Sequence, residues 1–308
     1  MRVGIVVPAW NVAPYLADTI RSVLAQTHGD WRMVIVDDGS TDATPRIAAS
    51  LADARLRLLR YTHAGVSVAR NHGLAALDPS AESVLFLDGD DRLAPDALAR
   101  LVAGLRATQD AVAAAGPYAT TGRTRRPPSG EVLSPLLRRN CFANCGQVLI
   151  RRAAALQAGP FQPALAYGED WDYLIRLALL GRFAAAPGRA PVLHVRVRAG
   201  GACHRLAADP AAFHACLDAI FANPALLSRF GLMELALLRR NAEAESQWII
   251  GRELIRHGSR RLGCQWLRRS VRALPGPRRV SLLAAAHALP LLPAPLRGPF
   301  VPYARQIG

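Results

Sequence analysis

The 308-residue chain contains no lysine, and all 38 of its basic side chains are arginine. An Ala-, Arg-, Pro- and Gly-rich composition is what a GC-rich genome produces, so the surplus of arginine alone carries little information. Its placement carries more. Residues 1–110 hold 11 Arg against 13 acids, residues 111–228 hold 13 against 6, and residues 229–308 hold 14 against 4. The net charge of +15 therefore lies outside the first third of the chain. Cysteine is scarce: there are five, at 141, 145, 203, 216 and 264, an odd number with no C-x-x-C pair. That pattern argues against a disulfide framework and a zinc site, and it fits reduced thiols in a cytoplasmic setting. Long apolar runs are missing as well. The stretch Val280 to Leu296 carries His287, Pro290, Pro293 and Pro295, and is too short and too broken to cross a bilayer. From Arg2 the chain enters an apolar strand at once, so no secretory leader is expected.

The length permits one large α/β domain or a domain with an appendage. Residues 1–115 repeat a strand-then-helix rhythm, which implies right-handed crossovers and a mostly parallel sheet. Strands are expected at Val3–Val7, Met33–Val36, Leu56–Leu59, Val84–Leu87 and near Ala111–Ala115. Helices are expected over Pro14–Gln26, from Thr44, after Gly65 and over Pro95–Ala107. Residues 116–135, rich in Gly, Pro and Arg, read as a loop. A strand at Gln147–Ile150, a short helix ending near Gly159, a helix over Glu169–Leu180 and a strand at Val192–Val197 follow. Beyond Asp209 the pattern is helical, at 210–222, 232–257, 259–273 and 280–289. The expected division is thus an α/β domain over 1–205 and a basic α-helical region over 206–308. Trp248 and Trp266 would serve that region as core residues or as interfacial anchors.

Chemistry concentrates where strands end. Val84-Leu85-Phe86-Leu87 runs directly into Asp88-Gly89-Asp90-Asp91, three carboxylates within four positions. Crowded like charge is unfavourable unless a cation binds there. A hard divalent ion, Mg²⁺ or Mn²⁺, suits such a site because it completes its shell with substrate phosphate and water. Asp37 and Asp38 close the second strand in the same way, and open sheets bind ligands beyond the carboxyl ends of their strands. Glu169 and Asp170 head a later helix. Acids favour a helix N-terminus, and a carboxylate can also act as a general base.

Four separated segments, in order, resemble family 2 glycosyltransferases of the GT-A fold. They are Val7-Pro8-Ala9-Trp10-Asn11 with Ser22-Val23-Leu24-Ala25-Gln26-Thr27; Val36-Asp37-Asp38-Gly39-Ser40-Thr41-Asp42; Ala69-Arg70-Asn71 ahead of Leu87-Asp88-Gly89-Asp90-Asp91; and Glu169-Asp170-Trp171-Asp172. The likeness covers roughly residues 1–200. It implies a Rossmann-like catalytic domain that moves a sugar from a nucleotide sugar, UDP-linked first of all, to an acceptor hydroxyl. By resemblance, Asp90 ligates Mn²⁺ or Mg²⁺, Asp88 contacts the ribose and the metal, and Asp91 supports them. Asp38 meets the base or ribose, Pro8 and Ala9 line the nucleotide pocket, and Arg70 pairs with base or diphosphate, while Asp37 is structural. Asp170 is the catalytic base with Glu169 in support, which implies a single in-line displacement with inversion. Arg176 pairs with a nearby acid.

Departures from the family pattern qualify these expectations. Val195-Arg196-Val197-Arg198 replaces a Tyr-Arg-x-His-like pattern, leaving His194 and His204 as weak candidates for a metal or phosphate contact. No Gln-x-x-Arg-Trp is present, so one sugar per encounter is expected rather than polymerisation. The implied acceptor is a glycan or lipid-linked glycan in assembly of a bacterial surface polymer. The expected setting is cytoplasmic, with the basic C-terminal helices either packed on the catalytic domain or facing an anionic membrane on its inner side. No nucleic acid is expected, since no nucleic-acid motif accompanies the charge. Two alternatives stand beside this reading. A sugar-nucleotide pyrophosphorylase would need a Gly-rich phosphate loop near the first strand, where Pro8-Ala9-Trp10-Asn11 has none. A degenerate transferase fold serving as a basic polyanion-binding protein would not need its acidic motifs intact.

Overall fold

The computed structural model of the chain describes residues 1–51, 53–120, 122–197, 209 and 212–288. The chain divides into two compact units. One comprises residues 1–136, 140–165 and 169–196; the other comprises 137–139, 166–168 and everything from Val197 onward.

Up to Val195 the elements run β1 (Val3–Ala9), α1 (Ala13–Leu24), β2 (Trp31–Asp38), α2 (Thr44–Ser50), β3 (Leu56–Tyr61) and α3 (Val66–Ala75). There follow β4 (Ser83–Phe86), β5 (Arg92–Leu93), α4 (Ala97–Ala107), β6 (Ala113–Ala115), β7 (Tyr118–Thr120) and β8 (Arg123–Arg125). The remainder is α5 (Leu133–Arg138), β9 (Val148–Arg151), α6 (Arg152–Gln157), α7 (Glu169–Leu180), β10 (Phe183–Ala185) and β11 (Leu193–Val195). Seven strands form one sheet in the order β10-β6-β9-β4-β1-β2-β3. Its pairings are parallel except for β9, which lies antiparallel between β4 and β6. The expected α/β architecture with a mostly parallel sheet is therefore present.

Strand alternation supplies two cores. On one face Val3, Ile5 and Val7 of β1, Met33 and Ile35 of β2, and Leu85 pack with Leu16, Ile20 and Val23 of α1 and with Leu98, Leu101 and Leu105 of α4. Burying each such side chain contributes roughly 1.5–3 kcal/mol. On the other face Phe86 meets Phe161 edge-on at 4.9 Å, and Phe161 stacks on Tyr173 of α7 at 4.0 Å. Helix α3 can lie close against β1 and β2 because it carries Gly73. A Cβ there would stand 2.2 Å from Val6 Cγ1 and 3.2 Å from Val36 Cγ2.

The segment 116–135 departs from the expected loop. Strands β7 and β8 pair antiparallel within it, and with β5 and β11 they form a second sheet of order β5-β11-β7-β8. Strands of two or three residues are too short to show a period, so the density of Gly, Pro and Arg dominated the reading. The brief β5 and β10 escaped notice for the same reason.

In the other unit, α8 (Ala212–Phe221), α9 (Pro224–Arg256), α10 (Arg260–Ala273) and α11 (Pro277–Ala288) account for the expected helices. Helix α9 is interrupted at Gly231 (φ 71°, ψ 166°), so its long stretch begins at Leu232. Trp266 is buried edge-on to Phe213 at 5.7 Å, and Trp248 packs against the cluster of Ile255, Cys264, Leu267 and Ala286. Both tryptophans are core residues. Cys145 and Cys264 are buried free thiols. Cys203, His204 and the end of the Val280–Leu296 stretch lie outside the described residues.

Gly73→Ala is expected to destabilise the protein by about 1–3 kcal/mol through overpacking. The change should shrink when combined with Val6→Ala, as a double-mutant cycle in urea unfolding would measure. A purely additive cycle would place the strain elsewhere.

Candidate active site

The loop after β4 is seated before any ligand arrives. Gly89 passes so close to the end of β1 that a Cβ would lie 3.0 Å from Pro8 O and 3.2 Å from Val12 Cγ2. Buried Thr19 of α1 donates its hydroxyl to Gly89 O at 3.1 Å. Glycine between the two aspartates therefore lets the loop rest on β1, which brings Pro8 and Ala9 alongside Asp88 and Asp90.

Arg70 forms the centre. It is 2% exposed, projecting from α3, and donates from Nη2 to Asp88 Oδ1 at 2.8 Å and from Nη1 to Glu169 Oε1 at 2.9 Å. Burial by itself would lower the guanidinium pKa, but the two carboxylates outweigh it and the pKa rises. Its carbon also lies 5.1 Å from the centre of the Phe161 ring. The side chain expected to meet base or diphosphate is thus occupied in joining the β4 loop to the start of α7.

Two residues that the sequence reading did not single out complete the loop's frame. Asn144 donates through Nδ2 to Asp91 Oδ2 at 2.7 Å and to Asp88 Oδ2 at 3.1 Å, while its Oδ1 accepts from Gly146 N. Arg196 donates its backbone N–H to Asp91 Oδ1 at 2.9 Å and its Nε–H to Asp90 O at 3.1 Å. Its guanidinium lies over the Tyr15 ring and reaches Asp18. Arg196 had been quoted only as part of a departure from the family pattern, and Asn144 sits in a segment with no motif. No sequence signal marked either one.

Asp91 is buried, and burial first, then Asp88 and Asp90, push its carboxyl well above the usual range. Asp88 and Asp90 keep part of their surface exposed and offer hard oxygen donors. No cluster of three His, Cys, Asp or Glu suited to a metal exists among the described residues. The donor set fits Mg²⁺ or Mn²⁺ held by two carboxylates, with the remaining positions left to water and substrate oxygens.

Glu169 and Asp170 occupy the first turn of α7, where acids favour the helix dipole. Asp170 Oδ1 accepts from Trp171 N at 2.7 Å and lies at the limit of hydrogen bonding, 3.5 Å, from Asn140 Nδ2. Burial first and then the Glu169 charge raise its pKa to about 7, against a lowering pull from Arg70. A carboxylate with that pKa is suited to general-base work near neutrality. Arg176 pairs with Asp172 one turn earlier at 2.8 Å, a pairing within α7.

Asp38 is buried at the end of β2, and its two oxygens accept from Ala64 N and Gly65 N, each at 2.9 Å, capping the approach to α3. His63 Nδ1 stands 2.8 Å from Asp38 Oδ2, and its ring stacks on exposed Trp10 at 4.3 Å. Asp37 accepts from Ser40 N and meets Arg60. His194 lies on β11, directly across from Arg92 of β5, in a surface hollow of about 400 Å³ that Asp18, Arg21 and Ser22 also line. The structure brings Pro8, Ala9, Arg70, Asp88, Asp90, Glu169 and Asp170 to one end of the sheet, with Asp38 beside them.

Comparison with known proteins agrees with this geometry. Residues 4–157 match the family model described as glycosyl transferase family 2. The succinoglycan biosynthesis protein ExoO of Rhizobium meliloti is 32% identical over 213 residues, 63% of this chain and 61% of its own. The chain spans 32, 38 and 61% of the lengths of three curated relatives it matches. Among solved structures, S. aureus TarS 1-349 in complex with UDP-GlcNAc superposes with a TM-score of 0.64 at 20% identity, covering 94% of this chain and 88% of that one. The mannosyltransferase PcManGT from Pyrobaculum calidifontis, in complex with GDP-Man and Mn²⁺, gives 0.58 at 22% identity, covering 99 and 85%.

Arg70→Met should cost roughly 3–5 kcal/mol of stability, because it leaves two partly buried carboxylates without their cation; equilibrium unfolding at neutral pH checks this. Asp170 binds its proton more tightly in the folded state than in the unfolded one. Its contribution to stability is therefore complete at low pH and is lost as pH rises through about 7. Relative to Asp170→Asn, the wild-type urea midpoint is expected to fall over that interval.

Proposed function

Because the chain belongs to glycosyl transferase family 2, we propose that it is an inverting, metal-dependent transferase that moves one sugar from a nucleotide sugar to an acceptor hydroxyl. The observation that carries this reading is the Arg70 bridge. One buried cation ties Asp88, on the donor side, to Glu169, next to the candidate base Asp170. Donor-holding and acceptor-activating groups thus share one rigid element.

In this reading Asp170 accepts the acceptor hydroxyl proton as the oxygen attacks the anomeric carbon. The new carbon–oxygen bond forms on the face opposite the departing nucleoside diphosphate, so configuration inverts. Glu169, fixed by Arg70, keeps the start of α7 in place, and burial first, with the Glu169 charge second, holds the Asp170 pKa up near the working pH. Asp88 and Asp90 would hold a divalent cation, which when bound supplies charge stabilisation to the leaving diphosphate. Trp10 and the backbone of Pro8 and Ala9 offer a platform and polar edge for the base and ribose, with buried Asp38 holding the Ala64 and Gly65 amides and the His63 ring that stacks on Trp10.

UDP is the donor nucleotide we favour, and the TarS complex with UDP-GlcNAc supports it, while the PcManGT complex with GDP-Man makes GDP the first competitor. The names of ExoO and of the putative teichuronic acid biosynthesis glycosyltransferase TuaG, of Bacillus subtilis, support a role in a bacterial surface polymer. A glycan or lipid-linked acceptor at the inner face of the plasma membrane agrees with the arginine surplus of residues 229–308.

Calorimetric titration with UDP, GDP and TDP, with and without Mn²⁺, tests the donor half. Metal-dependent binding of one nucleotide is expected, and Asp90→Ala should abolish the metal dependence. Asp170→Asn should bind that nucleotide as tightly as wild type yet transfer sugar about 10²–10⁴-fold more slowly. The wild-type rate should climb as pH rises through about 7, a limb the variant lacks. Unaltered turnover in Asp170→Asn would reassign the base.

A further inference from the structure

The second unit exposes large apolar side chains where a soluble helix would carry polar ones. Leu227 is 46% exposed, Leu232 76%, Met233 86% and Leu237 58%, all within eleven positions around the break at Gly231. Leu226, Leu235 and Leu238 of the same helix are buried, so its core face is already supplied. The exposed residues therefore form a second apolar face. Patches of this kind mark contact with a protein or a membrane.

The backbone gives the patch its shape. Gly231, at φ 71° and ψ 166°, kinks α9, and a separate bend of 96° at residues 222–223 turns α8 into α9. Among the described residues no single helix is long and apolar enough to cross a membrane, and the bent pair qualifies by length and composition only as a broken span or re-entrant corner. An apolar face on a kinked helix that does not itself cross suits the boundary between headgroups and acyl chains.

Charge selects the occupant. Glu234 is the single acid between residues 222 and 240, where Arg229, Arg239 and Arg240 also lie; Arg239 pairs with Asp218 of α8, and residues 229–308 as a whole hold 14 Arg against 4 acids. A second copy would bring the same positive surface against this one, whereas an anionic bilayer complements it. We infer that the corner around Gly231, presenting Leu227, Leu232, Met233 and Leu237 between arginines, is the surface by which the protein docks onto an anionic lipid bilayer without crossing it. The inference deepens the acceptor side of the proposed function and rests on it, since a lipid-linked acceptor is met at a bilayer surface.

The test is co-sedimentation of the full chain with vesicles of phosphatidylcholine alone and of phosphatidylcholine mixed with phosphatidylglycerol. Wild type should sediment with the anionic vesicles only, and less so in high salt. The triple variant Leu232→Ser, Met233→Ser, Leu237→Ser alters exposed positions, so its circular dichroism should be unchanged while its vesicle affinity falls about tenfold or more. Equal partitioning of variant and wild type would overturn the proposal. So would loss of a wild-type oligomer in the variant, by light scattering, with vesicle binding intact, because the occupant would then be a second copy. Titration of both proteins with UDP and Mn²⁺ separates the two readings. Nucleotide binding without vesicle binding removes the docking surface and leaves the transferase reading, and vesicle binding without nucleotide binding does the reverse.

Discussion

One buried guanidinium organises the site. Arg70 is shared between Asp88, from the loop after β4, and Glu169, from the start of α7, which lie 18 and 99 residues from it along the chain. A charge so enclosed is tolerated only with partners of opposite sign and good geometry. The requirement works in both directions: the carboxylates hold Arg70 charged, and Arg70 holds the carboxylates in place. The spacing of Asp88 and Glu169 is thereby set by a side chain of the protein itself.

The neighbouring acids show how similar side chains acquire different tasks. Asp38 spends its oxygens on the amides before α3. Asp91 is enclosed by Asn144 and the Arg196 amide, and carries a raised pKa. Asp170, raised to about 7, is poised near neutrality. Asp88 and Asp90 stay partly exposed. Differences in burial and hydrogen bonding, not in residue type, set apart a capping carboxylate, an enclosed one, one poised near neutrality and two that remain open to solvent.

In the helical unit, Arg252 and Arg256 both pair with Oε1 of buried Glu253, Arg279 pairs with Glu245, and Arg239 with Asp218. Part of the arginine surplus therefore serves packing inside that unit. Arg229, Arg239 and Arg240 also flank the exposed apolar residues around Gly231, and a pairing of apolar and positive surface is the combination that suits a membrane boundary.

The sequence by itself determined the α/β rhythm, most strand positions, the helical C-terminal pattern and the acids at the strand ends. These signals are local: apolar runs, periodicity and Asp/Gly clusters act over a few residues. Tertiary structure alone decided that β9 runs antiparallel within the sheet, that Tyr118–Thr120 pairs antiparallel with Arg123–Arg125, and that Arg70 is buried between two acids instead of lying at a rim. It alone brought Asn144 and Arg196 to Asp91, across 53 and 105 residues. Such partners are chosen by the packing of distant segments, and a lone Asn or Arg in a chain carries no periodic mark of the carboxylate it will meet.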